Sequence, residues 1–183
     1  LVGLNQGEST IGLNYELIQM SALLNKGYNI ALTDYIGLGS TNRVHTYMNR
    51  ADQAHALLDV ARAVRKLPGS PVTAQTKVGL WGYSQGGGAV AAAAEEHPTY
   101  APDVNLVGSY AGAPPANLSE VIKGIDGNMI AGVLGFAMNG LLESYPQLQP
   151  IVAANINDKG AAALKDISTS CVGDMIFGYG FSK

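Results

Sequence analysis

Helix-like and strand-like segments alternate along the first 115 residues, and this order constrains the fold more than any other feature of the chain. Helical spacing of apolar residues predicts helices over residues 13–26, 50–67 and 85–96. Short apolar runs between them predict strands over residues 29–33, 77–83 and 104–111. Strands that are joined by helices form parallel sheets with helices on their faces. The sequence therefore predicts an α/β fold.

The pattern changes at about residue 116, where strand-like runs stop and apolar helical segments follow one another. We therefore divide the chain into a sheet-containing core over 1–115 and a helical cap over 116–183. Segment 129–142 is apolar on all sides except at Asn139 and is too short to span a bilayer. Two interpretations stay open for it: a lid that faces an active site or lipid, and a core helix between other cap helices.

Charge and cysteine content exclude several functional classes. The net charge is −3, only 14% of the residues are charged, and no run of Lys or Arg occurs, so a nucleic-acid partner is not expected. No apolar run reaches the ~18 residues of a transmembrane anchor. The single cysteine excludes an internal disulfide and a cysteine-cluster metal site, and we expect no metal or cofactor. Because residue 1 is Leu, we interpret the chain as processed or as part of a longer protein.

Residues 82–86, Gly-Tyr-Ser-Gln-Gly, fit the G-x-S-x-G pattern of a nucleophile elbow. A predicted strand runs into Ser84 and a helix of small residues leaves it, which is the context that this turn requires. We expect Gly82 and Gly86 to leave space where a Cβ would clash. Ser84 is therefore the candidate nucleophile. The alternative is a glycine-rich strand–helix turn in which the serine has no catalytic role.

Acyl transfer also needs two donors for the oxyanion that develops on the substrate. The backbone N–H of Gln85 is one candidate, because it follows the nucleophile. The predicted strand over 29–33 brings its loop to the same sheet edge, so the N–H of Asp34 or Tyr35 is the other. The alternative for Asp34 is a turn residue that binds loop amides.

None of the three histidines is placed like the base of this fold, which normally follows the serine in sequence. His97 follows Ser84 but lies at the far end of the same predicted helix, about 18 Å away at ~1.5 Å per residue. His55 lies inside the helix predicted over 50–67. His45 lies on the correct edge but precedes Ser84, which is the wrong order. The sequence thus predicts a nucleophile without its base and acid.

Six strings also occur together at a specific spacing: A-L-T-D-Y-I-G-L-G (31–39), H-T-Y (45–47), L-L-D-V-A-R-A-V (57–64), G-Y-S-Q-G-G (82–87), Y-A-P-D-V (100–104) and G-A-P-P-A-N-L (112–118). With them, nearly the whole chain resembles the secretory lipase family, the group of yeast lipase A and its actinobacterial relatives. The resemblance implies an α/β-hydrolase fold with a helical lid. It also implies a secreted enzyme that hydrolyses acylglycerol esters and touches lipid transiently through its cap.

Residue by residue, the resemblance matches Ser84 to the nucleophile, Asp34 to the oxyanion aspartate and Gln85 to the donor after the nucleophile. The family places its catalytic Asp and His after the cap. We therefore expect both beyond Lys183, and we expect the 183 residues by themselves to be inactive. A secreted setting also implies that Cys171 pairs with a cysteine outside this segment.

Three other functions stay open. A cutinase or a general carboxylesterase would use the same elbow, although the helical segment 116–170 argues against a cutinase. A non-catalytic α/β binding module would explain the missing base. Its nucleotide-binding version lacks a third glycine after Gly37 and Gly39.

Overall fold

The computed structural model describes residues 16–39 and 41–182, and the chain forms two compact units, 1–32 and 33–183. In the first unit, helix α1 spans Glu16–Asn25 and is followed by residues without regular secondary structure. The helix predicted over 13–26 is therefore confirmed in its described part, and its first three residues lie outside the described residues. The predicted boundary at 115/116 falls inside the second unit and stays a prediction.

The second unit begins with a β-α-β motif and ends in a series of helices. Its first part contains α2 (Arg50–Val64), β1 (Val78–Tyr83), α3 (Gln85–Tyr100) and β2 (Leu106–Gly112). The cap that follows contains α4 (Leu118–Ile125), α5 (Val133–Ser144), a short 3-10 helix (Pro146–Leu148), α6 (Gln149–Asn155), α7 (Asp158–Ile167) and α8 (Val172–Tyr179). The predicted change from an α/β texture to helices alone is confirmed.

Strands β1 and β2 pair in parallel, as the alternation of elements predicts. The register runs from Gly79 opposite Gly108 to Tyr83 opposite Gly112. The strand predicted over 29–33 is wrong, because these residues form neither helix nor strand. An apolar run becomes a strand only where a neighbour completes its hydrogen-bond ladder. Among the described residues, β1 and β2 supply partners only to each other.

The core lies where α2 and α3 pack against the sheet. Its buried side chains are mostly small or β-branched, which lets the two helices approach closely. They are Ala54, Leu58, Ala61, Leu80, Val90, Ala92, Ala93, Ala101 and Val104. Helix α3 continues through Pro98 to Tyr100, beyond its predicted end. Proline is tolerated there because only the last turn loses a backbone hydrogen bond.

An ion cluster joins the end of α2 to the turn between α3 and β2. The Asp103 carboxylate accepts hydrogen bonds from Arg62 Nε at 3.0 Å and from an Arg65 terminal nitrogen at 3.0 Å. These contacts lower the pKa of Asp103 to about 2, with the hydrogen bond from Arg62 as the largest cause. Through Asp103, Arg62 and Arg65 therefore hold the end of α2 against the turn that precedes β2.

The apolar helix predicted over 129–142 begins later and ends later, at Val133–Ser144. The Asn128 side-chain oxygen accepts the backbone N–H of Ile130 at 2.8 Å, which favours a turn over a helical start. Helix α5 is packed on one side, where Gly140 is buried, while Met138 and Leu141 are more than a third exposed. It also meets α7, where Asn139 donates to the Leu164 carbonyl at 2.8 Å.

Candidate active site

Ser84 stands at the sharp turn between β1 and α3. Its backbone has φ 54° and ψ −116°, in the positive-φ region that residues other than glycine rarely adopt. Two hydrogen bonds hold the turn: the Ser84 N–H donates to the Gly112 carbonyl at 2.9 Å, and the Gly88 N–H donates to the Ser84 carbonyl at 3.0 Å. Strain of this kind costs about 1–3 kcal/mol and is concentrated at functional sites. The Ser84 side chain is exposed at the carboxyl end of β1.

Two glycines allow the backbone to make this turn. A Cβ on Gly82 would lie 2.1 Å from the Gly86 carbonyl oxygen, and one on Gly87 would lie 2.1 Å from the Gly112 carbonyl oxygen. The prediction for Gly82 is therefore confirmed. The prediction for Gly86 is wrong, because a Cβ there would meet no atom within 4 Å. The carbonyl of Gly86, rather than its missing side chain, creates the close approach.

Gln85 is the first residue of α3, and its backbone N–H finds no acceptor among the described residues. Unpaired N–H groups at a helix start carry positive potential. This position therefore offers a donor directly after the Ser84 hydroxyl, as the elbow pattern predicts.

Asp34 lies in a tight loop that begins the second unit. The Leu38 N–H donates to the Tyr35 carbonyl at 3.0 Å, which closes a turn. The Asp34 carboxylate covers Gly39, whose φ is +64° and on which a Cβ would lie 2.5 Å from Asp34 Oδ2. The backbone N–H groups of Asp34 and Tyr35 donate to no other described residue. Both predicted candidates for the second donor are therefore available.

His45 connects this loop to the start of α3. Its Nδ1 lies 2.8 Å from the Ile36 carbonyl oxygen, and its Nε2 lies 2.8 Å from Nε2 of the Gln85 side chain. A carbonyl accepts and an amide nitrogen donates, so both contacts are satisfied when the imidazole carries one proton, on Nδ1. The bridge brings the loop of Asp34 to the residue that follows Ser84.

The surroundings of His45 favour this neutral form. Burial lowers the pKa of His45 below its usual value, although its hydrogen bonds oppose that shift. Tyr35 stacks on the imidazole with ring centroids 5.9 Å apart, and Tyr47 meets its edge at 5.8 Å. Both ring nitrogens are engaged, so His45 is not placed as the base for Ser84.

The other two histidines are also engaged away from Ser84. His97 Nε2 donates to the Val104 carbonyl at 2.7 Å, which ties the end of α3 to the turn before β2. His55 stacks on Tyr100 with ring centroids 3.6 Å apart and lies 2.9 Å from a Glu96 carboxylate oxygen. The structure thus brings Ser84, Gln85 and the Asp34 loop together, and none of the three histidines has a ring nitrogen free to act as a base there.

The loop that holds His45 is packed against helix α5 of the cap. Tyr47 meets the ring of Phe136 at 5.9 Å, Arg43 Nε donates to Glu143 at 2.8 Å, and Asn49 Nδ2 donates to the Ser144 hydroxyl at 2.9 Å. Burial raises the pKa of the Tyr35 and Tyr47 hydroxyls, so both stay protonated at neutral pH. The cap therefore contacts the same loop that carries the candidate oxyanion donors.

Metal and membrane features were sought across the part of the chain that the structure describes. There, no group of three or more His, Cys, Asp or Glu side chains is placed to hold a metal ion. None of the helices in residues 16–39 and 41–182 has both the length and the apolar character needed to cross a membrane.

The contact between the Gln85 side chain and His45 was not predicted from the sequence. The two residues are 40 positions apart. Gln85 entered the prediction only through its backbone, and His45 only as a base in the wrong order. The one signal in the sequence was the placement of His45 in the loop that follows Asp34.

A parallel β-α-β motif with a strained serine at the strand–helix turn is the nucleophile-elbow arrangement of the α/β-hydrolase class. A family model described as "Secretory lipase" matches residues 4–183. The chain belongs to the secretory lipase family.

Individual relatives agree with this assignment. Lipase 2 of Candida albicans is 32% identical over 93% of this chain and 36% of its own length. A Mycobacterium tuberculosis protein named "Probable inactive lipase MT1628" is 30% identical over 88% of this chain and 35% of its own length. The X-ray structure of Candida antarctica lipase A in its closed state superimposes with a TM-score of 0.79 at 28% identity, covering 100% of this chain and 41% of that one. The chain spans about a third of the length of these curated relatives.

Proposed function

We propose that this chain carries the nucleophile and the oxyanion donors of a secreted lipase or carboxylesterase that hydrolyses acylglycerol esters. The observation that carries the proposal is the backbone of Ser84, which is held at positive φ where β1 meets the start of α3. Strained backbone of this kind costs about 1–3 kcal/mol and is concentrated at functional sites, and here it coincides with the G-x-S-x-G pattern. Membership of the secretory lipase family supports the ester substrate and the extracellular location.

The proposed reaction begins when Ser84 Oγ attacks the carbonyl carbon of the ester while a base removes the hydroxyl proton. The oxyanion that forms accepts hydrogen bonds from the Gln85 N–H and from the N–H of Asp34 or Tyr35. Collapse of this intermediate releases the alcohol, which takes up the proton, and leaves an acyl-enzyme on Ser84. Water then attacks the acyl group by the same route and releases the fatty acid.

The base and its acid are proposed to come from sequence outside this chain. His45 contacts Ile36 and Gln85, His55 contacts Glu96, and His97 contacts Val104. None of the three is therefore free to accept the Ser84 proton. Without a base the hydroxyl stays protonated near neutral pH and is a poor nucleophile.

The helical cap is proposed to meet the lipid interface. Its surface carries large apolar side chains that are each more than a third exposed, including Leu118, Ile122, Met129, Ile130, Met138 and Leu141. Large apolar side chains exposed on surface helices are typical of segments that contact lipid.

The decisive experiment is the Ser84→Ala substitution in the full-length protein. We expect a loss of kcat on the order of 10⁶ for a p-nitrophenyl ester, because removal of a triad nucleophile has that effect. A fluorophosphonate probe should label the unmodified protein and not the variant. Ser70→Ala, in the turn that follows α2, is the matched control and should keep full activity. More than a few per cent of activity in Ser84→Ala would show that another group is the nucleophile.

The role of Asp34 is tested in the same assay. Asp34→Ala should lower kcat by about 10²–10³ if the residue positions or supplies an oxyanion donor. Asp34→Asn keeps the shape of the loop and separates charge from geometry. A variant that no longer accumulates as folded protein would point to a structural turn role instead.

A non-catalytic binding module is the second candidate, because the histidines are engaged elsewhere and one relative is named an inactive lipase. The fluorophosphonate probe separates the two. It labels an activated serine and leaves a passive one unmodified.

A further inference from the structure

We propose that His45 is a positioning residue that holds the two halves of the oxyanion site at a fixed separation. The inference rests on the proposed function, in which Gln85 and the Asp34 loop both donate to the oxyanion. It assigns the role to a pair of side chains, His45 and Gln85, whose partnership the sequence did not reveal.

The two halves of the site come from distant parts of the chain. One donor belongs to the loop at Asp34 and Tyr35, and the other to Gln85 at the start of α3. His45 joins them through two hydrogen bonds of 2.8 Å, one to the Ile36 carbonyl and one from the Gln85 amide. The Ile36 carbonyl also accepts the Thr46 N–H at 3.3 Å, so it is held from two sides.

His45 is itself held in place by one backbone contact and two ring contacts. A Cβ on Gly37 would lie 2.2 Å from the His45 Cα, so the two backbones are in close contact. Tyr35 stacks on the ring and Tyr47 meets its edge. A rigid support of this kind is what a positioned site requires, since oxyanion donors act only when they are fixed before the reaction.

The chemistry of imidazole suits the bridge. A neutral ring offers one donor and one acceptor at fixed directions, and the two partners here are an acceptor and a donor. The hydrogen-bond and aromatic partners of the ring are Ile36, Gln85, Tyr35 and Tyr47, none of which is charged at neutral pH. The bridge therefore uses the neutral ring and needs no proton transfer.

The test uses His45→Phe and Gln85→Met in the full-length protein. Phenylalanine keeps the aromatic contacts and removes both hydrogen bonds, and methionine keeps the length of glutamine and removes its amide. We expect each variant to lower kcat by about 10–100-fold with little change in KM, because a misplaced donor weakens transition-state binding. The double variant should lose no more than the worse single one, since both remove the same hydrogen bond.

A second measurement is affinity for a boronic acid, which adds to the serine and places a negative charge in the oxyanion site. Both variants should bind it about 10–100-fold more weakly, while thermal unfolding shows them folded at the assay temperature. His55→Phe is the matched control, because His55 is also stacked on a tyrosine and bonded through Nε2. It should change neither kcat nor boronic acid affinity.

Several outcomes would overturn the inference. Unchanged kcat and boronic acid affinity in His45→Phe would do so, as would losses in the two single variants that multiply in the double one. If His45→Phe does not fold, Gln85→Met decides alone, because it leaves the histidine loop intact. If the unmodified protein neither hydrolyses esters nor reacts with fluorophosphonate, the proposed function fails and this inference fails with it. An active unmodified protein with unaffected variants overturns only the inference.

Discussion

At the scale of single residues, the site depends on one strained backbone conformation and on one neutral imidazole. Ser84 adopts positive φ although it is not a glycine. Burial lowers the pKa of His45, which favours the neutral ring at neutral pH. Both features can be measured without a substrate, through the stability of the folded state.

The strain at Ser84 predicts a difference between two inactive variants. Ser84→Gly should be more stable than Ser84→Ala by about 1 kcal/mol, because glycine adopts positive φ without a steric penalty. Glycine also loses more entropy on folding, so the gain stays below the full strain energy. Urea unfolding of the two variants gives the comparison, and Ser70→Gly against Ser70→Ala is the matched control. Equal stabilities at position 84 would show that its backbone is not strained.

The lowered pKa of His45 predicts a pH-dependent stability. Its folded pKa lies below its usual value of 6.5, so the unfolded chain binds more protons in the interval between them. The free energy of unfolding should therefore fall as the pH drops through 6.5. The slope is at most about 1.4 kcal/mol per pH unit, and less because the ring is only half-buried. Urea unfolding between pH 7.5 and 5.5 measures it. His45→Phe should show a shallower slope, and an equal slope would contradict the assignment.

At the scale of elements, sequence patterns predicted helices well and strands only where their partners are present. The strand predicted over 77–83 is present in the structure, because β2 completes its hydrogen-bond ladder. The run over 29–33 is also apolar but has no described strand partner. The periodicity of apolar residues shows which side chains favour burial. Whether they form a strand depends on tertiary contacts. The bridge between His45 and Gln85 is hidden from sequence for the same reason.

The packing of α5 against the loop at 43–49 predicts a strong effect at one glycine. A Cβ on Gly140 would lie 2.4 Å from the Tyr47 carbonyl oxygen and 2.6 Å from its nitrogen. Gly140→Ala should therefore destabilise the protein by about 1–3 kcal/mol, although alanine favours helices. Gly173→Ala is the control in α8, where a Cβ meets no atom within 4 Å. It should leave stability unchanged or raise it by about 0.5–1 kcal/mol. Similar melting temperatures for both variants would show that α5 is not closely packed against the backbone of Tyr47.

At the scale of the whole molecule, the sheet keeps large apolar side chains at its surface. Trp81, Tyr83, Val107 and Tyr110 are each more than half exposed. Parallel sheets are normally covered on both faces. The chain spans 36% of Lipase 2 of Candida albicans, so we expect other parts of the full-length protein to cover these residues.

The same comparison predicts how residues 1–183 behave by themselves. They should show little or no turnover of p-nitrophenyl butyrate, because the donors alone supply only about 10³–10⁴ over water. Addition of the remaining sequence, in one chain or as a separate fragment, should restore activity and an acyl-enzyme burst. Sustained turnover by the segment alone would mean that a base exists within it. His45→Phe in that segment would then show whether the base is His45.

The packing of α5 also links any displacement of this helix to the loop at 43–49. Four residues of this helix contact the loop that supports the candidate oxyanion donors: Phe136, Gly140, Glu143 and Ser144. A movement of the cap that displaced α5 would therefore also displace this loop, and it would disturb the candidate oxyanion site.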